Sequence, residues 1–277
     1  MPAAEFDPEV LTTAVERQPV LSALAEEPHH RKELQAALDL SKTTCHRIVR
    51  TFDDRGLLRR TDSGYELTRL GEIVHEQVES FDATVRTAYR LRPLVAAFDE
   101  AGVDFEVELF LDARITVPEP GDPYPFADRT MDLFRSSDTI RIVDCNQLVP
   151  PLYVEKMLDI AIETGMRGEF VVTGGIARGN VEQFPERQRA VAEGDAAGEY
   201  RVHDDITFGM AIYDDHLDLR AYDEETGTPV LYVDTDDPDA IAWAENVYAR
   251  YYEESRPATD LDGFPDWAPD SGIESDE

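Results

Sequence analysis

Five side chains between Lys42 and Arg50 have types and spacing that suit the reading of a nucleic-acid groove. In the run from Ser41 to Phe52, the apolar Cys45, Ile48, Val49 and Phe52 fall at i, i+3, i+4 and i+7, one face of a helix. Lys42, Thr43, His46, Arg47 and Arg50 are left on the opposite side, with Thr43, Arg47 and Arg50 forming one stripe at i, i+4 and i+7. The major groove of B-DNA admits one α-helix, and an arginine there can bond guanine O6 and N7 together. Arg47 and Arg50 are therefore expected to read base edges. Thr43 and Thr44, near the helix start, suit phosphate contact or a thymine methyl. His46 by itself would be an ordinary solvated residue, and it draws its meaning from the stripe. Cys45 keeps apolar partners at i+3 and i+4, so it is expected in the core rather than as a redox switch.

The surrounding residues supply the elements that such a helix needs. Ser41 is a natural N-cap, and Gly56 closes the helix behind Phe52. Upstream, Val20, Leu21 and Leu24 mark one helix ended by Pro28, and a second runs from about His30 to Leu38 before the short break Asp39-Leu40. Downstream, Leu57 to Arg60 and Gly64 to Thr68 read as two short strands about the turn Thr61-Asp62-Ser63-Gly64. Arg59 and Arg60 on the first strand can reach a DNA backbone, whereas Asp62 and Ser63 equip the turn poorly for a minor groove. Residues 1–68 are expected to form a winged helix-turn-helix DNA-binding domain.

From Arg69 to about Ala101 the apolar residues keep helical spacing, divided near Pro93. Residues 69–101 are expected to be linker and dimerisation helices: such a stretch is too apolar for a solvated connection and packs against a second subunit or the following domain, with dimerisation favoured. Residues 102–255 change to α/β rhythm. Thr139 to Cys145, Glu169 to Thr173 and Glu199 to His203 read as strands separated by helices near 151–164 and 180–193. Phe208 to Tyr213, Leu217 to Tyr222 and Val230 to Val233 read as antiparallel strands, and a helix from Pro238 to about Glu254 closes the segment. Residues 256–277, rich in Asp, Pro and Gly, are expected to be an acidic disordered tail. The fold class is α+β multidomain: a winged helix-turn-helix, a helical segment, and a C-terminal α/β effector domain with a mixed sheet.

Charge sharpens the picture. Asp and Glu number 59 against 26 Lys plus Arg, a formal charge of -33, and Lys32, Lys42 and Lys156 are the only lysines. Such a surface is expected in a cytoplasm at molar salt, where the screening length is about 3 Å, and points to a halophilic archaeon. Residues 31–60 are the exception, with eight basic residues against four acids. Cys45 and Cys145, one in each expected domain, indicate neither a disulfide framework nor a zinc site. No apolar run spans a membrane and no secretory signal is visible at the start, so the chain is expected in the cytoplasm.

In an open α/β sheet, ligands sit beyond the carboxyl ends of the strands. That places a possible effector site at Asp144 and Asn146 after one strand, and at Thr173, Gly174, Gly175 and Arg178 after the next. Glycines let a backbone approach a ligand, and Arg178 suits a carboxylate or phosphate. The alternative is that Gly174-Gly175 is a plain strand-to-helix turn. No enzyme is expected. A phospholipase-D-like site needs a His with a Lys two positions on, and His203 is followed by Asp204-Asp205. No phosphate loop, nucleophile elbow, metal set or cofactor motif is present.

The run around Leu34 to Thr68, ELQAALDLSKTTCHRIVRTFDDRGLLRRTDSGYELTRLG, resembles the winged helix of archaeal transcription regulators of the ArsR, MarR and TrmB kind. DARITVPEPGDPYPFADR (112–129), ITFGMAIYDDHLDLRAYD (206–223) and DTDDPDAIAWAENVYARYYEES (234–255) are similar to the effector domain of the methanogenesis and filament regulator family. The resemblance implies a homodimer that binds operator DNA and whose C-terminal domains sense a signal, which the resemblance does not name, and adjust that binding. The apolar helices after Arg69 are expected to join the two copies, and a small-molecule effector is one possible signal. The alternative is a metabolite-sensing or protein-binding regulator whose winged helix does not bind DNA.

Overall fold

The computed structural model describes residues 8–119, 121–122, 124–146, 151–193 and 198–265. The chain divides into two compact units, Met1–Arg86 and Thr87–Glu277.

The first unit begins with α1 (Glu9–Glu16), α2 (Gln18–Glu26), α3 (Arg31–Ala37) and α4 (Lys42–Asp54), followed by β1 (Leu58–Thr61), β2 (Gly64–Leu67) and the start of α5 (Arg69–Arg90). Leu21, Leu24, Leu34, Ile48, Val49, Phe52 and Leu57 are buried together, so each helix contributes one apolar stripe to a single small core. The break between α3 and α4 is made by Asp39 at φ 49°, a left-handed conformation that short polar residues tolerate. β1 and β2 pair antiparallel with Arg59 opposite Glu66 and Thr61 opposite Gly64, which leaves Asp62 and Ser63 as the turn. Gly64 sits at φ 128°, and a Cβ there would overlap the His29 carbonyl group, because Tyr65 bridges to His29. Only glycine fits that position.

The second unit contains α6 (Arg92–Glu100), β3 (Arg114–Thr116), α7 (Ala127–Ser136), β4 (Thr139–Asp144), α8 (Pro151–Thr164), β5 (Arg167–Val172), α9 (Gly174–Gln183) and α10 (Pro185–Glu193). After them come β6 (Gly198–Val202), β7 (Gly209–Ile212), β8 (Leu217–Tyr222), β9 (Pro229–Thr235), α11 (Pro238–Glu254) and β10 (Arg256–Pro257). The sheet order is β10-β6-β5-β4-β7-β8-β9-β3. β4, β5 and β6 run parallel, whereas β7, β8 and β9 form an antiparallel meander beside β4. The architecture is α+β with one large mixed sheet. One face of the sheet packs on α6 and α11 through Phe98, Phe208, Leu219, Val233 and Trp243. Rings of Phe98, Phe105, Phe110 and Trp243 interlock there at centroid separations of 5.0 to 5.7 Å. The other face is covered by α7, α8, α9 and α10.

One expectation is refined and one needs correction. Residues 69–101 divide in use: Leu91, Leu94 and Phe98 are fully buried in the core of the second unit, the packing on the following domain that the stretch allowed, whereas α5 keeps an unburied apolar face. On it, Leu70, Ile73, Phe81 and Val85 are exposed. The tail, read as disordered from residue 256, is ordered as far as it is described. β10 pairs with β6, and Ala258 and Phe264 are buried with Val172, Ala177 and Val202. Its Asp, Pro and Gly content hides those two apolar anchors. Residues 266–277 lie outside the described residues.

Candidate nucleic-acid interface and buried cluster

α4 is held by its cap and by its buried stripe. Ser41, at ψ 150°, accepts a 3.1 Å bond from the Thr44 N–H, satisfying one free donor of the first turn. Cys45, Ile48, Val49 and Phe52 are buried. The Cys45 thiol, raised above its ordinary value chiefly by burial, packs with its Sγ 3.5 Å from the Arg31 carbonyl.

The opposite side of α4 presents Lys42, Thr43, His46, Arg47 and Arg50 as exposed residues. Arg50 lies 3.5 Å from Asp54, but both are well exposed, at 71% and 66%, so the pair holds Arg50 weakly. No acid among the described residues pairs with Lys42 or Arg47. Thr44 differs from expectation: it is half-buried, and its hydroxyl lies 2.8 Å from Ser41 Oγ, so it serves the cap. Arg59 also differs. Its Nε donates a 2.6 Å bond to Glu66 on the neighbouring strand, so it is paired although exposed, and Arg60 beside it is exposed as well. Arg31 stacks over Tyr65 at 5.0 Å and braces the helices against the hairpin.

In the second unit the expected effector residues separate. Asp144 and Asn146 line a cavity of 140 Å³ between the sheet and α7 to α10; Thr173, Gly174, Gly175 and Arg178 do not. Thr173 precedes α9, Gly174 is buried near Leu261, and Gly175 and Arg178 are exposed. The ordered start of the tail packs beside Val172 and Val202, so the end of β5 is covered by the chain itself.

Asp144 instead belongs to a buried network that the sequence analysis missed. Arg220 on β8, only 2% exposed, donates from Nη1 to Asp144 Oδ2 at 2.9 Å. Its Nη2 stands 2.7 Å from Asp218 Oδ1, an ion pair without hydrogen-bond alignment, and its Nε has no partner among the described residues. Tyr222 donates to Asp144 at 2.8 Å and Tyr213 to Asp218 at 3.0 Å. Burial, against the pull of Arg220, lifts the Asp144 carboxyl to about 6. Burial and the neighbouring Asp144 push the Cys145 thiol up to about 12, which leaves it an unreactive thiol. The signal lay in Leu-Asp-Leu-Arg-Ala-Tyr: its polar alternates mark one strand face, and that face is covered by helices.

The histidines of the second unit serve local contacts. His203 accepts a bond from the Asp205 N–H at 3.2 Å and packs on Tyr251, and His216 lies 3.2 Å from Asp234, which Arg129 also contacts. Among the described residues no group of three His, Cys, Asp or Glu is placed to hold a metal ion, and no helix is long and apolar enough to cross a membrane.

Residues 6–90 match the family described as the HVO_A0261 N-terminal domain. Residues 123–254 match the middle domain of the methanogenesis regulatory protein FilR1. The resemblance to archaeal regulators read from the motifs is borne out by both matches. No curated protein matches. Among the solved structures that show likeness are three at 12 to 13% identity. TrmBL2, an archaeal chromatin protein whose structure shows a novel mode of DNA binding, is 13% identical over 86% of this chain and 91% of its own, at a TM-score of 0.41. NucT from Helicobacter pylori is 12% identical over 52% and 98%, at 0.41. Nuc from Salmonella typhimurium, a phospholipase D family member, is 12% identical over 52% and 97%, at 0.39. Overlaps of this size decide nothing about fold or chemistry.

Proposed function

We propose that this chain, which joins an HVO_A0261-type N-terminal domain to a FilR1-type middle domain, is a cytoplasmic DNA-binding transcription regulator of a halophilic archaeon. In this reading residues 1–68 are a winged helix-turn-helix, α4 enters the major groove, and Arg47 and Arg50 read base edges. The single observation that carries it is the stripe Lys42, Thr43, His46, Arg47 and Arg50, exposed on one side of a capped helix whose other side is core. Lys42 and Arg60 take phosphates.

The protein works as a homodimer through α5. α5 packs on the first unit through Val74 and Val78, and its Leu70, Ile73, Phe81 and Val85, exposed, leave apolar area in water that a second copy would cover. Two copies would then meet two half-sites about one helical turn, roughly 34 Å, apart. Dimerisation carries more weight here than in a basic protein. At molar salt, counterion release adds little drive, so phosphate contacts contribute less and base contacts and avidity contribute more. The second unit, not an enzyme in this reading, senses a small molecule and alters DNA binding.

Selection of bound sequences from a random DNA pool by the full chain in molar KCl tests the proposal. An enriched inverted repeat supports it. A pool that stays random, while the protein remains folded, would favour the alternative of a metabolite-sensing or protein-binding regulator.

A further inference from the structure

The 140 Å³ cavity beneath α8 has apolar walls of Ile142, Met157, Ala161, Phe170 and Val181. Arg220 and Asp144 line it on one side, and Asn180, Gln188 and Tyr200, with Gln188 bonded to Tyr200, line it toward β6. An apolar cavity of roughly 150 Å³ is large enough for a benzene molecule. Arg220 is 2% exposed, and its Nε has no acceptor among the described residues. A donor buried in that state is costly unless something accepts from it. Nη1 donates to Asp144 at 2.9 Å, and Nη2 stands 2.7 Å from Asp218 as an ion pair without an aligned hydrogen bond.

Charge narrows the ligand further. One guanidinium already stands between two carboxylates, so a ligand anion would be a third negative group around a single positive one, out of water. A ligand cation would meet the guanidinium edge and offer it no acceptor, and Asp144, the acid that lines the cavity, already accepts from Arg220, Tyr222 and the Asn146 N–H. What remains is a neutral molecule with one oxygen that accepts. We propose that this cavity binds a small uncharged ligand, the size of a six-membered ring and apolar except for one carbonyl or hydroxyl oxygen, which accepts from Arg220 Nε. The proposal names the ligand class of the second unit and so rests on the reading of that unit as a sensor.

Cyclohexanone, benzoate and toluene are the probes, titrated into the full chain in molar KCl near pH 7 and followed by ligand-observed NMR and thermal shift. Cyclohexanone is expected to bind saturably and raise the unfolding temperature. Toluene, lacking the acceptor, is expected to bind at least about tenfold more weakly, and benzoate not saturably. Ala161→Phe and Ala211→Leu each fill the cavity from a different wall, and whichever keeps the wild-type circular dichroism is expected to lose the binding. The proposal is overturned by wild-type protein that binds none of the three, by benzoate binding more tightly than cyclohexanone, or by unchanged binding in a folded cavity-filled variant. DNA affinity measured in the same titration separates the two readings. Cyclohexanone is expected to change it by about fivefold or more. Saturable binding with unchanged DNA affinity would remove the sensor reading and keep the site, and absent binding would remove the site and leave DNA binding standing.

Discussion

Arg220 on β8 reaches across the sheet to Asp144 at the end of β4, Nη1 to Oδ2 at 2.9 Å, with both side chains buried. Asp218 lies on the other side of the same guanidinium, so its one positive charge answers two buried carboxylates. Arg220→Met would leave both without a counter-charge, and removing one partner of a buried ion pair costs about 3–5 kcal/mol. Urea unfolding of this variant, read by tryptophan fluorescence, should show that loss; a loss under about 1 kcal/mol would mean that the network is not buried as described.

The same network sets a pH dependence. The folded-state value of Asp144, about 6, lies above the ordinary carboxylate value of about 3.9. As pH rises between those values the unfolded chain gives up this proton first, so the folded state binds more protons and the group's contribution to stability falls. Asp214 has the opposite sign. Burial opposes its ionisation, but bonds donated by Thr139 Oγ1 and the N–H groups of Asp138 and Thr139 outweigh that and hold it low, so its contribution is lost as pH falls. Asp144→Asn should therefore flatten a decline in stability between about pH 4 and 6, while Asp214→Asn should leave that decline in place. Unfolding curves across this range decide it.

Much of this was readable beforehand, for identifiable reasons. α4 announces itself because a serine cap and a stripe at i, i+3, i+4 and i+7 are local signals, and most strands of the mixed sheet show as short runs rich in apolar residues between turn residues. What depends on partners distant in sequence did not show. Glu66 pairs with Arg59 only through the hairpin register, and the Thr44 hydroxyl lies against Ser41 in the cap. Arg178 looked like an anion holder because the covering of β5 by the tail is a tertiary event. Asp218 and Arg220 alternate with Leu217, Leu219 and Ala221 as on a half-solvated strand, and their burial depends on packing distant in sequence.

The cap of α4 is a modest but specific contributor. Ser41→Ala should cost the first unit about 1 kcal/mol, and Ser41→Asp should restore most of it, because either side chain can accept from the Thr44 N–H. Thermal unfolding of the two variants measures the difference. Equal unfolding temperatures for Ser41→Ala and wild type would show that the cap contributes nothing.

Phe81, 58% exposed on α5, tests the dimer. Phe81→Glu introduces a charge into the proposed contact, and sedimentation equilibrium should shift from dimer toward monomer with the fold intact. Wild-type protein that sediments as a monomer at every concentration would remove α5 from the DNA-binding mechanism.

The central claim is that α4 reads base edges through Arg47. Its most direct measurement is the affinity of the full chain and of Arg47→Ala for the selected DNA sequence and for unrelated DNA of equal length, in molar KCl. A bidentate arginine–guanine contact contributes about 1–3 kcal/mol of discrimination. The variant is therefore predicted to bind the selected sequence about tenfold or more weakly, while its affinity for unrelated DNA changes little. Equal affinity of variant and wild type for the selected sequence, or an equal loss on both DNAs, would contradict the claim.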